Sequence, residues 1–393
     1  MTEPRLAAVD AALGPLVEAR QFAGVAALAW HRGRLVHSAG YGVQDLETGV
    51  AMTPSTIVRA YSMTKPVMAV VMMSLFDQGL WSPDDPVTRF VPEFADLKVF
   101  QGLDATGAPI LTPATRGPTM QELMTHTAGF GYGGPEGPVD AAYLAAEIWT
   151  SRGSDDFIRR VADLPLYFEP GTAWRYSIAM DLQGVIAERI TGRTLAELMQ
   201  ERIFGPLGMV DTGFACPADQ RHRLAGLYRW KDGALRQVRN APMTGEGSTP
   251  PDFLSGGGGL FSTAQDYLRF ARMLLGRGEL EGARIVSEAA ADRMMGAQLS
   301  PDFIARRWGV GFQNLRPGYA YGYNGVVVTD PPAAGVALGR GTYLWDGMAS
   351  TWFWSDPEHD VAFVGMVQRI GDDQMPLVQP ISQTAVAEAL ELG

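Results

Sequence analysis

Strand-like runs stand near both ends of this chain and are scarce between them. That spacing limits the fold more than any other feature. "GVAALAW" (24–30) and "RLVHSAGYG" (34–42) flank the turn "HRG" and predict a hairpin. The runs return late in the chain as "WGVGFQNL", "AYGYNGVVV", "TYLWDG", "TWFWSD" and "VAFVGMVQ". From about 81 to 254 the chain holds loops, prolines and short helical patterns at 119–125, 140–150, 178–191 and 194–203. Such a chain predicts an α+β fold. Its antiparallel sheet takes strands from both ends and is covered by the first and last helices. Residues 1–80 and 255–393 form one discontinuous unit in this reading, and 81–254 a largely helical insertion.

The first helix is read from Leu6, Val9, Leu13, Leu16 and Val17, and the last from "PISQTAVAEALEL". "SGGGGLFS" (255–262) reads as a tight loop approaching the main sheet, because the helical pattern "TAQDYLRFARMLL" follows at once.

Composition narrows the function classes. A net charge of -11 repels phosphate backbones, so no nucleic-acid partner is expected. No run approaches 18 apolar residues, so no membrane span is expected either. The N-terminus lacks a basic stretch followed by an apolar one, which makes the cytoplasm the expected location. Cys216 is the single cysteine and excludes an internal disulfide framework; it reads as a packing residue. The five histidines show neither H-x-x-x-H nor H-E-x-x-H spacing, so no metal is expected, and no cofactor. His126 in "THTAGF" reads as holding a loop by hydrogen bonds. No G-x-S-x-G occurs, which argues against a nucleophile elbow, and "GGGGLF" is not a phosphate loop.

The chemistry is read from a lysine. Only Lys65, Lys98 and Lys231 are lysines among 32 Lys and Arg residues. Lys65 follows Ser62 by three positions in "SMTK". A helix starting near Met63 places Pro66 in its first turn, where a missing N–H costs nothing. Ser62 then sits at the helix N-terminus, with Lys65 on the same side. Arginine cannot exchange a proton there, because it does not deprotonate in proteins. An ordinary lysine is neutral in only about one molecule in 2500 at pH 7, and making it half neutral takes about 4.6 kcal/mol. Burial beside an apolar helix is the expected source. This is the S-x-x-K arrangement of serine hydrolases.

Two further segments join it. "PGTAWRYSIAMD" (170–181) carries Tyr176 at the start of a helical pattern. A tyrosine of depressed pKa beside a cationic lysine can deprotonate the serine. "YLWDGMASTWFW" (343–354) carries a W-x-G unit on a strand whose backbone, through Gly347, lines the cleft opposite Ser62.

With these elements in order, the chain resembles the class C β-lactamase-like serine hydrolases, and most closely the family VIII carboxylesterases. The likeness covers nearly the whole chain. It is carried by "SMTK", "DDPVTRFVPEF", "LMTHTAGF", "FEPGTAWRYS", "PLGMVDTGF", "GGGGLFSTAQDYLRF" and "WDGMASTWFWSDP". The resemblance implies Ser62 as nucleophile and Lys65 with Tyr176 as the base and acid pair. It implies an oxyanion hole from the backbone N–H groups of Ser62 and Met348, and substrate contacts from Tyr132 and Trp345. The partner it implies is a small ester. Two departures bear on substrate. Trp345 stands where β-lactamases and penicillin-binding proteins carry a lysine or histidine, and Ile178 where they carry an asparagine. Both remove polar recognition of a β-lactam, and a tryptophan suits uncharged esters. Asp346 is expected to face away from the cleft, since alternate strand residues point to opposite sides. A β-lactamase, an acyltransferase or peptidase on the same scaffold, and a catalytically silent binding protein are the competing readings.

Overall fold

The computed structural model describes residues 5–134, 137–239, 241, 243–299, 303, 308–309, 317–371 and 375–392. Seven strands form the main sheet: β1 (Gly24–His31), β2 (Arg34–Gly42), β3 (Tyr319–Tyr321), β4 (Val326–Val328), β5 (Tyr343–Gly347), β6 (Thr351–Asp356) and β7 (Val361–Met366). Their order is β3-β4-β5-β6-β7-β1-β2, and each neighbouring pair is antiparallel. The expected α+β class holds. The run "AYGYNGVVV" is two strands rather than one. Asn324 adopts φ 55° between them, which a short polar side chain tolerates in a tight turn. Residues 310–315 of "WGVGFQNL" lie outside the described residues.

Both faces of the sheet are covered. Helix α1 (Ala7–Glu18) packs against the C-terminal helix, Val378–Leu390. Trp352 on β6 donates its indole N–H to Ser382 Oγ of that terminal helix at 3.0 Å. The alternate residues of β6 face the opposite layer. Thr351 Oγ1 donates to Ala60 O at 3.1 Å, and Ser355 Oγ to Ala271 O at 2.8 Å. That layer contains α2 (Thr64–Phe76) and the helix Ala264–Leu275. Every α2 residue from Thr64 to Leu75 is buried, which explains its continuous apolar run. Each fully buried large apolar side chain here contributes about 1.5–3 kcal/mol.

The middle of the chain carries the expected helices, including α3 (Ala179–Thr191), but it is not purely helical. Lys98–Leu103 pairs with Pro109–Pro113, and Tyr228–Lys231 with Ala234–Gln237. We propose that the chain divides at 80/81 and 254/255; one continuous buried core runs through both parts.

The glycine run does not meet the main sheet as expected. It is buried against α3 and its approach. A side chain on Gly256 would strike Met180 O, and a Cβ on Gly257 would stand 2.6 Å from Asp181 Oδ2. After it, Phe261–Ser262 pairs with Val58–Arg59, just ahead of Ser62.

Candidate active site

The chain enters the site through a strained turn. Tyr61 adopts φ 47°, a left-handed conformation that costs a residue with a side chain about 1–2 kcal/mol. Its ring is held by Leu227, Ala241, Ala349 and Ile370. A 3-10 turn, Tyr61–Met63, then leads into α2. Ser62 therefore stands at the helix entrance, and Lys65 is the second residue of α2.

The structure brings Ser62, Lys65 and Tyr176 together from two segments. Ser62 Oγ lies 2.6 Å from Tyr176 OH. Lys65 Nζ donates to Ser62 Oγ at 3.1 Å and to the Gly257 carbonyl at 2.6 Å. It also lies 4.5 Å from the centre of the Tyr176 ring and 5.6 Å from that of Tyr132. Lys65 is fully buried, and burial brings its pKa down to about 7, against the pull of the Asp181 and Asp346 carboxylates. Roughly half of the amines are then neutral at neutral pH.

Tyr176 corrects the sequence reading. Burial pushes its hydroxyl well above the ordinary range, and Tyr132, Tyr321 and Asp346 push it further; the hydrogen bond with Ser62 opposes them. The phenol is protonated at rest, not depressed. A dry pocket disfavours a phenolate more than a nearby lysine, itself half neutral, favours it.

The other expected residues surround this pair. The Tyr132 ring is 5.1 Å from that of Tyr176, and its hydroxyl reaches Met243 Sδ at 3.9 Å. Trp345 is 2% exposed and stacks on Tyr176 at 6.3 Å, so it backs that ring rather than standing open to the cleft. Gly347 faces Ala60 O so closely that any side chain would collide with it. That contact, with the Thr351 bond, ties the β5–β6 hairpin to the turn before Ser62. Met348 follows Gly347, half-exposed, and its N–H makes no turn or loop hydrogen bond among the described residues. Asp346 pairs across the sheet with Trp352, on the face turned toward the terminal helices, and its charge still reaches Lys65 and Tyr176. Ile178 is buried, which leaves no polar group where an amide was looked for.

His126 sits beneath Tyr176, ring centres 4.9 Å apart, with Nδ1 3.0 Å from Ser177 Oγ. Burial, with the charge of Lys65, holds its pKa well below the usual value, so it is a neutral support. No group of metal-ligating residues occurs among the described residues. No helix among them is long and apolar enough to cross a membrane.

Sequence reasoning missed Asp181 and the Gly257 carbonyl. Asp181 is fully buried; its Oδ1 accepts from Ser255 Oγ and, at 3.0 Å, from Gly257 N–H. It thereby holds the peptide segment whose carbonyl receives Lys65. They lie in the segments 170–181 and 255–262, and their meeting across 76 positions has no local signal.

A family profile described as Beta-lactamase matches residues 9–386. This chain belongs to the beta-lactamase family. Within that family it is 37% identical over 373 residues to Protein Rv1367c of Mycobacterium tuberculosis, covering 92% of this chain and 90% of the relative. It is 32% identical over 375 residues to Esterase EstB of Burkholderia gladioli, covering 88% and 86%. Its fold matches that of EstCE1, described as a hydrolase with promiscuous acyltransferase activity, with TM-score 0.78, 23% identity and 97% of each chain covered. The chain is a serine hydrolase of this family.

Proposed function

We propose that this protein hydrolyses short- to medium-chain carboxylic esters through an acyl-enzyme on Ser62. The observation that carries the reading is one serine oxygen within hydrogen-bond reach of both a half-neutral lysine and a protonated tyrosine. The neutral Lys65 amine takes the Ser62 proton as Oγ bonds to the ester carbonyl carbon. The backbone N–H groups of Ser62 and Met348 receive the oxyanion, each worth about 3 kcal/mol in the transition state. The carbon–oxygen bond to the alcohol breaks, and the alcohol leaves with a proton supplied by the Tyr176–Lys65 pair. Water then attacks the acyl-enzyme by the same route, its proton going to the pair. No metal or cofactor takes part in this scheme.

The Tyr132 and Tyr176 rings and the lack of a polar amide at Ile178 favour esters over β-lactams. Acyl transfer to an alcohol is a second reading. It is favoured by the likeness of fold to EstCE1, described as a hydrolase with promiscuous acyltransferase activity.

The test gives p-nitrophenyl butyrate and a chromogenic cephalosporin to the wild type and to Ser62→Ala. Ester hydrolysis that depends on Ser62, with slow ring opening, is expected. Faster cephalosporin turnover would move the assignment to a β-lactamase.

A further inference from the structure

We propose that Met243 is an adjustable wall of the acyl pocket and sets the length of acyl chain the site accepts. The inference rests on the ester-hydrolase reading above. Met243 lies on none of the motifs that mark the site in the sequence. Its side chain lies between Tyr132 and Gly258. On one side, its Sδ takes the Tyr132 hydroxyl at 3.9 Å. On the other, it lies against Gly258. A Cβ built there would stand 2.7 Å from Met243 Cε and 3.1 Å from its Sδ, too close for both to keep their places. Glycine at 258 therefore leaves a space that a side chain from another loop occupies.

The place of that space assigns it to the acyl side. The same Gly258 position is 3.8 Å from the carbonyl carbon of Tyr61, the peptide that joins Ser62. The neighbouring Gly257 carbonyl holds Lys65. The acyl group stays bonded to Ser62 after the alcohol has gone, so the surface beside the 61–62 peptide is the surface it meets. The alcohol oxygen must instead face Tyr176, from which its proton comes.

Met243 is held there at a cost. It adopts φ 62°, left-handed and unfavourable for a long side chain. The turn is pinned from outside: Arg59 Nε donates to Thr244 Oγ1 at 3.2 Å, Arg59 Nη2 to Gly245 O at 3.4 Å, and Gly245 N–H to Ala241 O at 2.9 Å. An unbranched thioether with three rotatable bonds can yield to a substrate where a branched or aromatic residue would not.

The test compares wild type, Met243→Ala, Met243→Leu and Gly258→Ala. Each receives p-nitrophenyl acetate and octanoate. Each is also labelled at Ser62 with short-chain and octyl phosphonates. Met243→Ala should raise the octanoate-to-acetate ratio of kcat/KM about tenfold, because it empties the wall, and should raise the octyl-to-short labelling ratio likewise. Met243→Leu, close in volume but branched, should lower the octanoate-to-acetate ratio by about twofold or more, because it cannot yield as the thioether does. Gly258→Ala should lower the ratio by pushing Met243 into the cleft, and it keeps the proposal testable if Met243→Ala does not fold. Unchanged ratios in Met243→Ala and Gly258→Ala would overturn the proposal. The two readings fail separately. Absent ester turnover with intact Ser62 labelling counts against the hydrolase assignment, while the labelling ratio still decides the wall.

Discussion

Two buried cations flank Tyr176, and they are handled in opposite ways. Arg175 is paired. Its guanidinium meets the Asp140 carboxylate, donates to Tyr167 OH at 3.0 Å and lies 3.7 Å from the centre of the Tyr167 ring. Burial pushes the Asp140 carboxyl up. The bonds from Tyr167 and from the Tyr132 and Gly133 N–H groups, with the charge of Arg175, overcome that and hold it low. The result is a permanent charge pair that fixes the loop carrying Tyr132. Lys65 forms no ion pair within 4 Å among the described residues. Its two bonds go to uncharged oxygens, and burial makes its proton easy to lose. Arginine suits the first place because it stays charged; lysine suits the second because it need not. A buried cation is structural or chemical according to what its partners let it release.

Exchanging the residue types breaks this contrast. Lys65→Arg should lower kcat/KM for p-nitrophenyl butyrate by about a thousandfold or more, since the charge stays but the base is gone. A near-normal rate would remove the lysine from the mechanism. Arg175→Ala tests the other half. It strands the Asp140 carboxylate in a buried site and should cost about 3–5 kcal/mol in urea unfolding. A loss below about 1 kcal/mol would mean that the pair is not what fixes this region. Asp181→Asn sharpens the contrast with a smaller effect. The Asp181 charge favours protonated Lys65, so removing it lowers the lysine pKa further. The acid limb of the pH–rate profile should move down by about half to one unit. Movement upward would contradict the electrostatic account.

The legible parts of the molecule were those with local signatures. The terminal strands and helices followed from alternating or helical apolar spacing. Ser62 and Lys65 stand three positions apart on one turn, so their meeting was readable from spacing alone. What was not readable depends on long-range approach. Gly257 and Asp181 are far apart in the chain, and Met243 reaches the site from a loop with no motif. The protonation of Tyr176 likewise depends on groups far away in the chain. Sequence shows a lysine nearby, but what keeps the phenol neutral is burial first, with Tyr132, Tyr321 and Asp346 adding to it, and none of these has a local signal.

The glycine run meets Met180 and Asp181 rather than the main sheet, because small residues announce a close approach without naming what approaches.

The most direct test of the central claim is the pH dependence of kcat/KM for the wild-type enzyme on p-nitrophenyl butyrate between about pH 5 and 10. A neutral Lys65 acting as base predicts a single-proton rise with its midpoint at about 7, where burial sets the amine. A profile that is flat across that range, or that rises only near the ordinary lysine value of about 10.4, would contradict it.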